Sequence, residues 1–497
     1  MSAPTENKNS KQTYIVGVDV GTTAVKASLI NEAGHVVETY SEGYPKSFPK
    51  PGWVEQDADV WVEHIFAALR LFSNHIDLLR VEAICLVSQV NTHVFVGDDH
   101  RPLLPAIVWS DTRTKNIAAS LDSKFSVEKK NEVWGFEFIV DSSYSLSRAA
   151  WVKQNAPDVW NKTKWVMSPK DYCNLALCGV AASDSFSSVG LTGADGTYVQ
   201  GLDSLLEGFS DRLPPLNDMF QPIGKTNLVE FPSLKADVIT GTMDAFGNFI
   251  GSGIVESGLG ALITGTSSVL GIMSDEVLPV KGVITFPPFL SHLLHAGPTQ
   301  SGSDAFVWFA KLAGKDLQEF LEDIETRELK ATAPIFLPHL QGERAPLWDP
   351  NARGTFIGLT HEHDLLDMGL AVMEGVAFSE RHVFDVCCET AGLKPTSIRL
   401  SGGSSRNDYW AQLRANCLGV PLQRLAVRDS GILGAALIAM VGKGVYADTQ
   451  SAAKTVISFT QTFHPDPKME SLVEERFNLY KSSYLRLKPI FDSMVQS

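Results

Sequence analysis

Two stretches half a chain apart are written to one plan. In residues 14–30 the apolar run YIVGVDV ends in Gly21-Thr22-Thr23 and gives way to a second apolar run. In 259–270 (LGALITGTSSVL) an apolar run, Gly265-Thr266-Ser267 and another apolar run follow in the same order. Both read as strand, tight turn, strand, because β-branched residues fill the runs and Gly-Thr punctuates them. The first continues through NEAGHVV into another hairpin, so a β-meander opens the fold. The repeat predicts two similar lobes, each starting with this element.

The length of 497 residues exceeds one ordinary domain and leaves room for both lobes. Helical patterns at 60–72, 365–383 and 409–418 alternate with short β-rich runs at 83–87 and 397–400, which predicts an α/β protein with helices packed on mixed sheets. Four glycines in ten residues (GSGIVESGLG, 251–260) place the lobe boundary there. The expected division is a disordered tail at 1–12, an N-terminal lobe at 13–250 and a C-terminal lobe at 251–497. A last helix near 469–491 packs on either lobe.

With 44% apolar and 20% charged residues, the composition is that of a compact globule. A formal charge of -15 argues against nucleic acid or an anionic membrane as main partner, since both would repel it, and any anionic ligand needs a local cradle. The first dozen residues lack the apolar stretch of a signal peptide, and no run of about 18 apolar residues is present, so a cytoplasmic protein without a membrane is expected. Six cysteines without a CxxC pair favour reduced, buried thiols over a disulfide frame or a zinc site. Oligomeric state is not legible here, and a homodimer stays open.

Gly-Thr turns that end strands suit phosphate oxygens: glycine lets backbone N–H groups approach and hydroxyls add donors. Each turn alone is as readily a plain hairpin turn, but two in two lobes favour nucleotide binding. Asp19, on the first strand beside Gly21, Thr22 and Thr23, adds a carboxylate suited to a hydrated magnesium ion. Other nucleotide motifs fail: IGKT (223–226) lacks the earlier P-loop glycine and reads as a surface turn, and GSGIVESG has the wrong spacing for a dinucleotide fingerprint. No HExxH, GxSxG or histidine cluster supports a zinc or serine hydrolase. In VITGTMDAFGN (238–248) Asp244 stands alone among small and apolar residues. It reads as a helix N-cap or as a general base with room for a substrate hydroxyl, and one carboxylate can do both.

The ordered series VGVDVGTTAVKASLINEAGHVV, GWVEQDADVWVEHIFAAL, PAIVWSDTRT, LITGTSSV, FLPHLQGERAPLWDPNARGTFIGLT, LSGGSSRNDYWAQLRANCLGVPL and DSGILGAALIA resembles the FGGY carbohydrate kinases of the actin-like ATPase and sugar kinase superfamily, most closely the xylulokinase-like members. The family's C-terminal signature is met from Gly354 to Glu374. The resemblance implies two RNase H-like lobes with ATP and magnesium in the cleft between them. It implies a phosphotransferase acting on a small sugar at a primary hydroxyl, with a ketopentose such as xylulose or ribulose foremost. Asp244 matches the catalytic base and Asp19 the residue that positions magnesium. Gly21, Thr22 and Thr23 match the first phosphate turn, and Gly265, Thr266 and Ser267 the second. Gly402, Gly403, Ser404 and Asn407 fall in the segment similar to the adenosine pocket. Trp109, Asp111 and Arg113 resemble the substrate-side WxDxR segment, where a core tryptophan and a surface ion pair remain the plainer readings.

Two departures bear on substrate. Where xylulokinases carry Gln-Met-His-Gly, this chain has Gln89-Val90-Asn91-Thr92, with a histidine only at His93. In YSLSRAAWVKQN, Arg148 takes the usual lysine position and Ala149 that of a larger apolar residue. Changed polar groups in a pocket change which hydroxyl is paired, so kinases for glycerol, gluconate or a tetritol stay open alongside a ketopentose kinase. So does a non-catalytic ATP-dependent sugar-binding relative, though Asp19 and Asp244 are both intact.

Overall fold

A computed structural model describes residues 12–134, 138–193 and 195–495. The expected tail lies outside the described residues apart from Gln12. Two compact units are present, Met1–Gly253 with Ser430–Val456, and Ile254–Asp429 with Ile457–Ser497. The first crossing falls inside the glycine-rich stretch. A single boundary does not suffice, however, because 430–456 belongs to the first unit and not to a C-terminal lobe of 251–497.

The first unit is built on a six-stranded sheet. Its strands are β1 (Tyr14–Val20), β2 (Ala24–Asn31), β3 (Val36–Gly43), β4 (Val81–Ser88), β5 (Pro222–Lys225) and β6 (Asp237–Met243), in the order β3-β2-β1-β4-β6-β5. β1, β4 and β6 run parallel, and β2, β3 and β5 are antiparallel to their neighbours. β1 is buried along nearly its whole length, as expected of a parallel strand covered on both faces. One cover is the helix Ser430–Gly442: a Cβ on Gly17 would lie 2.5 Å from the Ile432 carbonyl oxygen, so only glycine lets strand and helix meet. IGKT is not a free turn, since its first three residues belong to the edge strand β5, where Lys225 pairs with Asp237 at 2.7 Å.

The second unit repeats the plan. Its sheet comprises β7 (Gly260–Thr264), β8 (Ser268–Ser274), β9 (Ile284–Thr285), β10 (Leu293–Pro298), β11 (Ile398–Gly402), β12 (Leu422–Leu425) and β13 (Phe459–Phe463), in the order β9-β10-β8-β7-β11-β12-β13. The run β10-β8-β7-β11-β12 has the same sequence of two antiparallel and two parallel pairings as β3-β2-β1-β4-β6. Leu262, Leu270, Phe306, Phe378, Phe384 and Leu400 form its core.

The helix Leu365–Ala391 crosses that core, started by an Asp364/Asp367 capping box and stopped by Gly392 at φ +64°. Glu374, which closes the sequence signature, is buried and bonded through both oxygens to Arg476 of the helix Glu470–Val495. The last helix therefore packs on the second unit. All six cysteines are free and either buried or half-buried, in keeping with structural thiols.

Candidate active site

In each unit the parallel strands end in one row, and the candidate residues follow that row. In the first unit Val20 and Met243 both pair with Ser88, so Gly21-Thr22-Thr23, Gln89 and Asp244 leave the same edge of the sheet. In the second unit Thr264 pairs with Gly402, which puts Gly265-Thr266-Ser267 beside Gly403 and Ser404. Carboxyl ends of parallel strands are where such sheets bind ligands, because the chain must turn there and expose backbone groups.

Asp244 is the first residue of the helix Asp244–Gly251. The N-cap position belongs to Met243, so the carboxylate does not cap the helix. Its Oδ1 accepts one hydrogen bond, from the neighbouring Ala245 N–H at 2.8 Å. Burial pushes the Asp244 carboxyl up to about 7, and the nearby Asp19 carboxylate adds to the shift. The helix is held down from the other side: Asn248 donates to the Asp244 carbonyl at 2.8 Å and accepts from Ser430 Oγ at 2.6 Å. A Cβ on Gly434 would stand 1.8 Å from the Gly247 carbonyl oxygen, so the two helices touch backbone to backbone. Gly431 leaves space for Asp19, since a Cβ there would come within 3.0 Å of Asp19 Oδ2.

The first turn is tied to Gln89 and Trp109, two of the candidate substrate residues. Gly21 N–H closes the turn on the Ala24 carbonyl at 3.1 Å. Gln56 donates to the Thr22 carbonyl at 2.7 Å and accepts from Gln89 Nε2 at 2.9 Å, and the buried Gln89 Oε1 has no partner among the described residues. Trp109 Nε1 donates to Thr22 Oγ1 at 3.1 Å. Trp109 is 40% exposed, so it is no core residue and its indole is open to a ligand.

Asp111 and Arg113 are placed differently. Arg113 is buried, bonded to Asp111 and Glu55 at 2.8 Å each, with its guanidinium 3.7 Å from the centre of the Trp53 ring. Asp111 also accepts the Val54 N–H at 2.6 Å. Neither the surface ion pair nor a free substrate contact describes them: the pair is an internal brace of the segment that carries Trp109.

Asn91 sits at φ +53°, a conformation that asparagine tolerates better than most residues, and its side chain donates to Ser143 at 3.1 Å. Its carbonyl accepts from Arg148. The fully buried Arg148 guanidinium also donates to the carbonyls of Ile107 at 2.8 Å, Val108 at 2.7 Å and Ser142 at 3.3 Å, and contacts His93 Nδ1 at 3.0 Å. Burial lowers the Arg148 pKa to about 9, and burial together with Arg148 holds His93 well below its usual range. Arg148 therefore braces the loops bearing Asn91 and Trp109.

In the second unit Gly265 and Thr266 carbonyls accept from Ser303 N–H at 2.9 Å and Asp304 N–H at 3.4 Å, which sets the turn over the start of the helix Ser303–Leu312. Thr266 is exposed and Ser267 half-buried. Gly402 has φ +94°, and a Cβ there would lie 1.9 Å from the Thr264 carbonyl oxygen. Gly403 is exposed with open space around its Cβ position. Asn407 is employed structurally, since its Oδ1 caps the helix Asp408–Leu418 through Trp410 N–H at 2.7 Å and its Nδ2 bonds Glu325 at 2.8 Å.

The sequence matches the N-terminal domain model of the FGGY family of carbohydrate kinases over residues 14–194 and the C-terminal domain model over 260–442. The chain belongs to the FGGY family of carbohydrate kinases. The curated xylulose kinase of Lactococcus lactis is 27% identical over 505 residues, covering 97% of this chain and 99% of that protein. Two solved structures from Lactobacillus acidophilus, a ligand-bound xylulose kinase and a gluconate kinase, each superpose with a TM-score of 0.87 at 27% identity over 97% of this chain and 100% of theirs. The fold of this FGGY kinase is thus the two-domain actin-like ATPase and sugar kinase fold, and the protein is a sugar kinase whose family uses ATP.

Several residues around the site of this FGGY kinase escaped the sequence reading. The sequence assigns no role to Asn248 in VITGTMDAFGN or to Ser430 and Gly431 in DSGILGAALIA, and 430–456 lies in the first unit rather than in a lobe of 251–497. Lys170 is fully buried between Asp171 at 2.5 Å and Asp184 at 3.0 Å, and Asp184 accepts from Thr242, two residues before Asp244, at 2.9 Å. The one available signal was charge inside apolar surroundings, as in SPKDYCNLALC.

Proposed function

We propose that this FGGY kinase transfers the γ-phosphoryl group of ATP to a primary hydroxyl of a small open-chain ketose, a ketopentose such as xylulose or ribulose, with Asp244 as general base. The observation that carries the reading is Asp244 itself: a lone carboxylate at the end of a parallel strand, with one short-range hydrogen bond and a pKa of about 7. A base tuned near neutral pH is half ready to accept a proton and still a strong enough acceptor to hold it. As the hydroxyl oxygen bonds to the γ-phosphorus, Asp244 takes the hydroxyl proton and the bond to the ADP oxygen breaks. Such a base contributes roughly 10²- to 10⁴-fold in rate.

No group of three or more His, Cys, Asp or Glu side chains able to hold a metal occurs among the described residues. A donor set of Asp19 with Asp244 nearby fits magnesium, which keeps most of its waters and binds through one or two carboxylates plus phosphate oxygens. Held at Asp19, the ion would neutralise charge on the transferring phosphoryl group. The residues of the chain orient the reactants: Trp109 and Gln89 reach the first turn through Thr22 and Gln56, and Arg148 and Arg113 fix the loops that present them.

A neutral ketose is preferred to gluconate because the buried cations of this region are spent. Arg113 is paired with two carboxylates, Arg148 with backbone carbonyls, and Lys170 with two aspartates. A sugar carboxylate would meet none of them free. The test is ADP release from ATP and magnesium across D- and L-pentuloses, pentitols, tetritols, glycerol and gluconate, with Asp244→Asn alongside. One or two pentuloses should give a signal that the variant loses. Strong turnover of gluconate alone would reject the ketose assignment, and a variant as fast as wild type would reject Asp244 as base.

A further inference from the structure

Beneath the two candidate nucleotide loops of the second unit runs a chain of four side chains, three of them buried and the fourth, Ser404, half-buried. Ser268 Oγ, one residue after the Gly265-Thr266-Ser267 turn, donates to Glu380 Oε1 at 2.7 Å. Arg414 Nε donates to Glu380 Oε2 at 2.8 Å, and its Nη2 and Nη1 donate to Ser404 Oγ at 3.1 Å and Ser404 O at 3.4 Å. Glu380 and Arg414 are wholly buried, and the Arg414 guanidinium lies 4.4 Å from the Trp410 ring centre. Glu380 comes from the helix Leu365–Ala391 and Arg414 from Asp408–Leu418, so neither belongs to the loops they join.

A buried ion pair is a poor way to gain stability, because two charges must leave water and an apolar pair of similar size does as well or better. Stability alone therefore does not account for this one. Its geometry offers another use. Each carboxylate oxygen serves a different loop, one directly through Ser268 and the other through the planar fork of Arg414, whose prongs reach both the side chain and the backbone of Ser404. We infer that Ser268, Glu380, Arg414 and Ser404 form a positioning bridge that fixes the distance between the phosphate turn and the adenosine loop, so that one nucleotide engages both at once. The inference rests on the nucleotide reading of these loops given above. Its physical content is effective concentration: two sites held at the right separation bind a linked ligand far better than either fragment, and the advantage is lost when the separation drifts.

The paired replacement Glu380→Met with Arg414→Leu keeps the site filled and removes the charges, so the fold has an apolar substitute. It should raise the KM for ATP about tenfold or more and leave the sugar KM within about twofold, the split expected when only one ligand's positioning is lost. Calorimetric titration with adenosine and with magnesium tripolyphosphate separately should give Kd values near those of wild type, since each fragment needs only one loop. Unchanged ATP affinity in the folded double variant overturns the bridge. So does an equal loss for ATP and both fragments, which would mean the loops themselves had collapsed. Arg414→Lys is the second variant if the double one does not fold. It keeps the charge without the fork and should raise the ATP KM about threefold to fivefold, and no change there overturns the inference equally. Gly403→Val separates this from the underlying reading, because its side chain enters open space and would obstruct a nucleotide. If Gly403→Val leaves ATP binding intact, the nucleotide assignment of the loop is wrong. If it weakens ATP binding and the paired replacement does not, only the bridge fails.

Discussion

Replacing Asp244 by asparagine tests chemistry and electrostatics in one variant. The folded carboxyl is raised from 3.8 to about 7, by burial first and by Asp19 second. Below about pH 4 the folded and unfolded chains both hold the proton and the group is neutral to stability. As pH rises the unfolded chain ionises first, so the folded state carries a growing cost that is complete above about pH 7. At about 1.4 kcal/mol per pH unit that cost is at most about 4 kcal/mol. Asparagine removes the charge at nearly constant volume. Asp244→Asn should therefore melt a few degrees higher than wild type at pH 8, with roughly half that gain at pH 5.5. ADP-release turnover should drop by roughly 10²-fold or more, while the Kd for ATP stays close to wild type. The assay is differential scanning fluorimetry at the two pH values beside steady-state kinetics. A variant less stable than wild type at pH 8, or one with the same gain at both pH values, would refute the electrostatic reasoning. Near-normal turnover would refute the chemical role.

Arg148→Met removes the guanidinium's hydrogen bonds to the carbonyls of Asn91, Ile107, Val108 and Ser142, of which the last three keep a second donor in His93 N–H, Asp111 N–H and Thr114 Oγ1, and should cost about 2–4 kcal/mol in urea unfolding. Because those carbonyls hold the Asn91 and Trp109 loops, its kinetic effect should fall on the sugar KM, and an equal rise in the ATP KM would count against the brace. Glu374→Gln strands part of the Arg476 charge in the core and should cost about 3–5 kcal/mol without moving either KM. Gly402→Ala places a Cβ 1.9 Å from a carbonyl oxygen at φ +94° and should destabilise the protein by more than about 3 kcal/mol, read by the denaturant midpoint. Thr22→Val removes the acceptor for Trp109 Nε1 and should raise the sugar KM by about fivefold to tenfold with stability nearly unchanged, a net loss of about 1 kcal/mol.

The candidate carboxylate Asp244 and both Gly-Thr turns were legible because their signals are local. A strand pattern followed by Gly-Thr-Thr forces a turn at the strand end wherever the rest of the chain goes. Asp244 stood out because an unneutralised carboxylate among small apolar residues has few structural uses. Its cap alternative was not decidable from sequence, because the choice between N-cap and first helical residue turns on one ψ angle at Met243. Trp109, Asp111 and Arg113 appear as one motif in sequence yet divide in space, the tryptophan opening outward and the ion pair closing inward.

The sequence by itself determined the strand-turn-strand openings, the repeated lobe plan and the identities of the candidate reactive groups. These follow from side-chain periodicity and from the few residue types that admit a tight turn or carry a proton. Tertiary structure alone decided that 430–456 returns to the first unit and seats Ser430 and Gly431 against Asn248 and Asp19. It also decided that Arg148 meets carbonyls rather than a carboxylate, and that Glu380 finds Arg414 between two loops. Partners far apart in the chain leave no mark on local pattern, and the pKa near 7 at Asp244 exists only once folding has withdrawn the carboxylate from water and set Asp19 beside it.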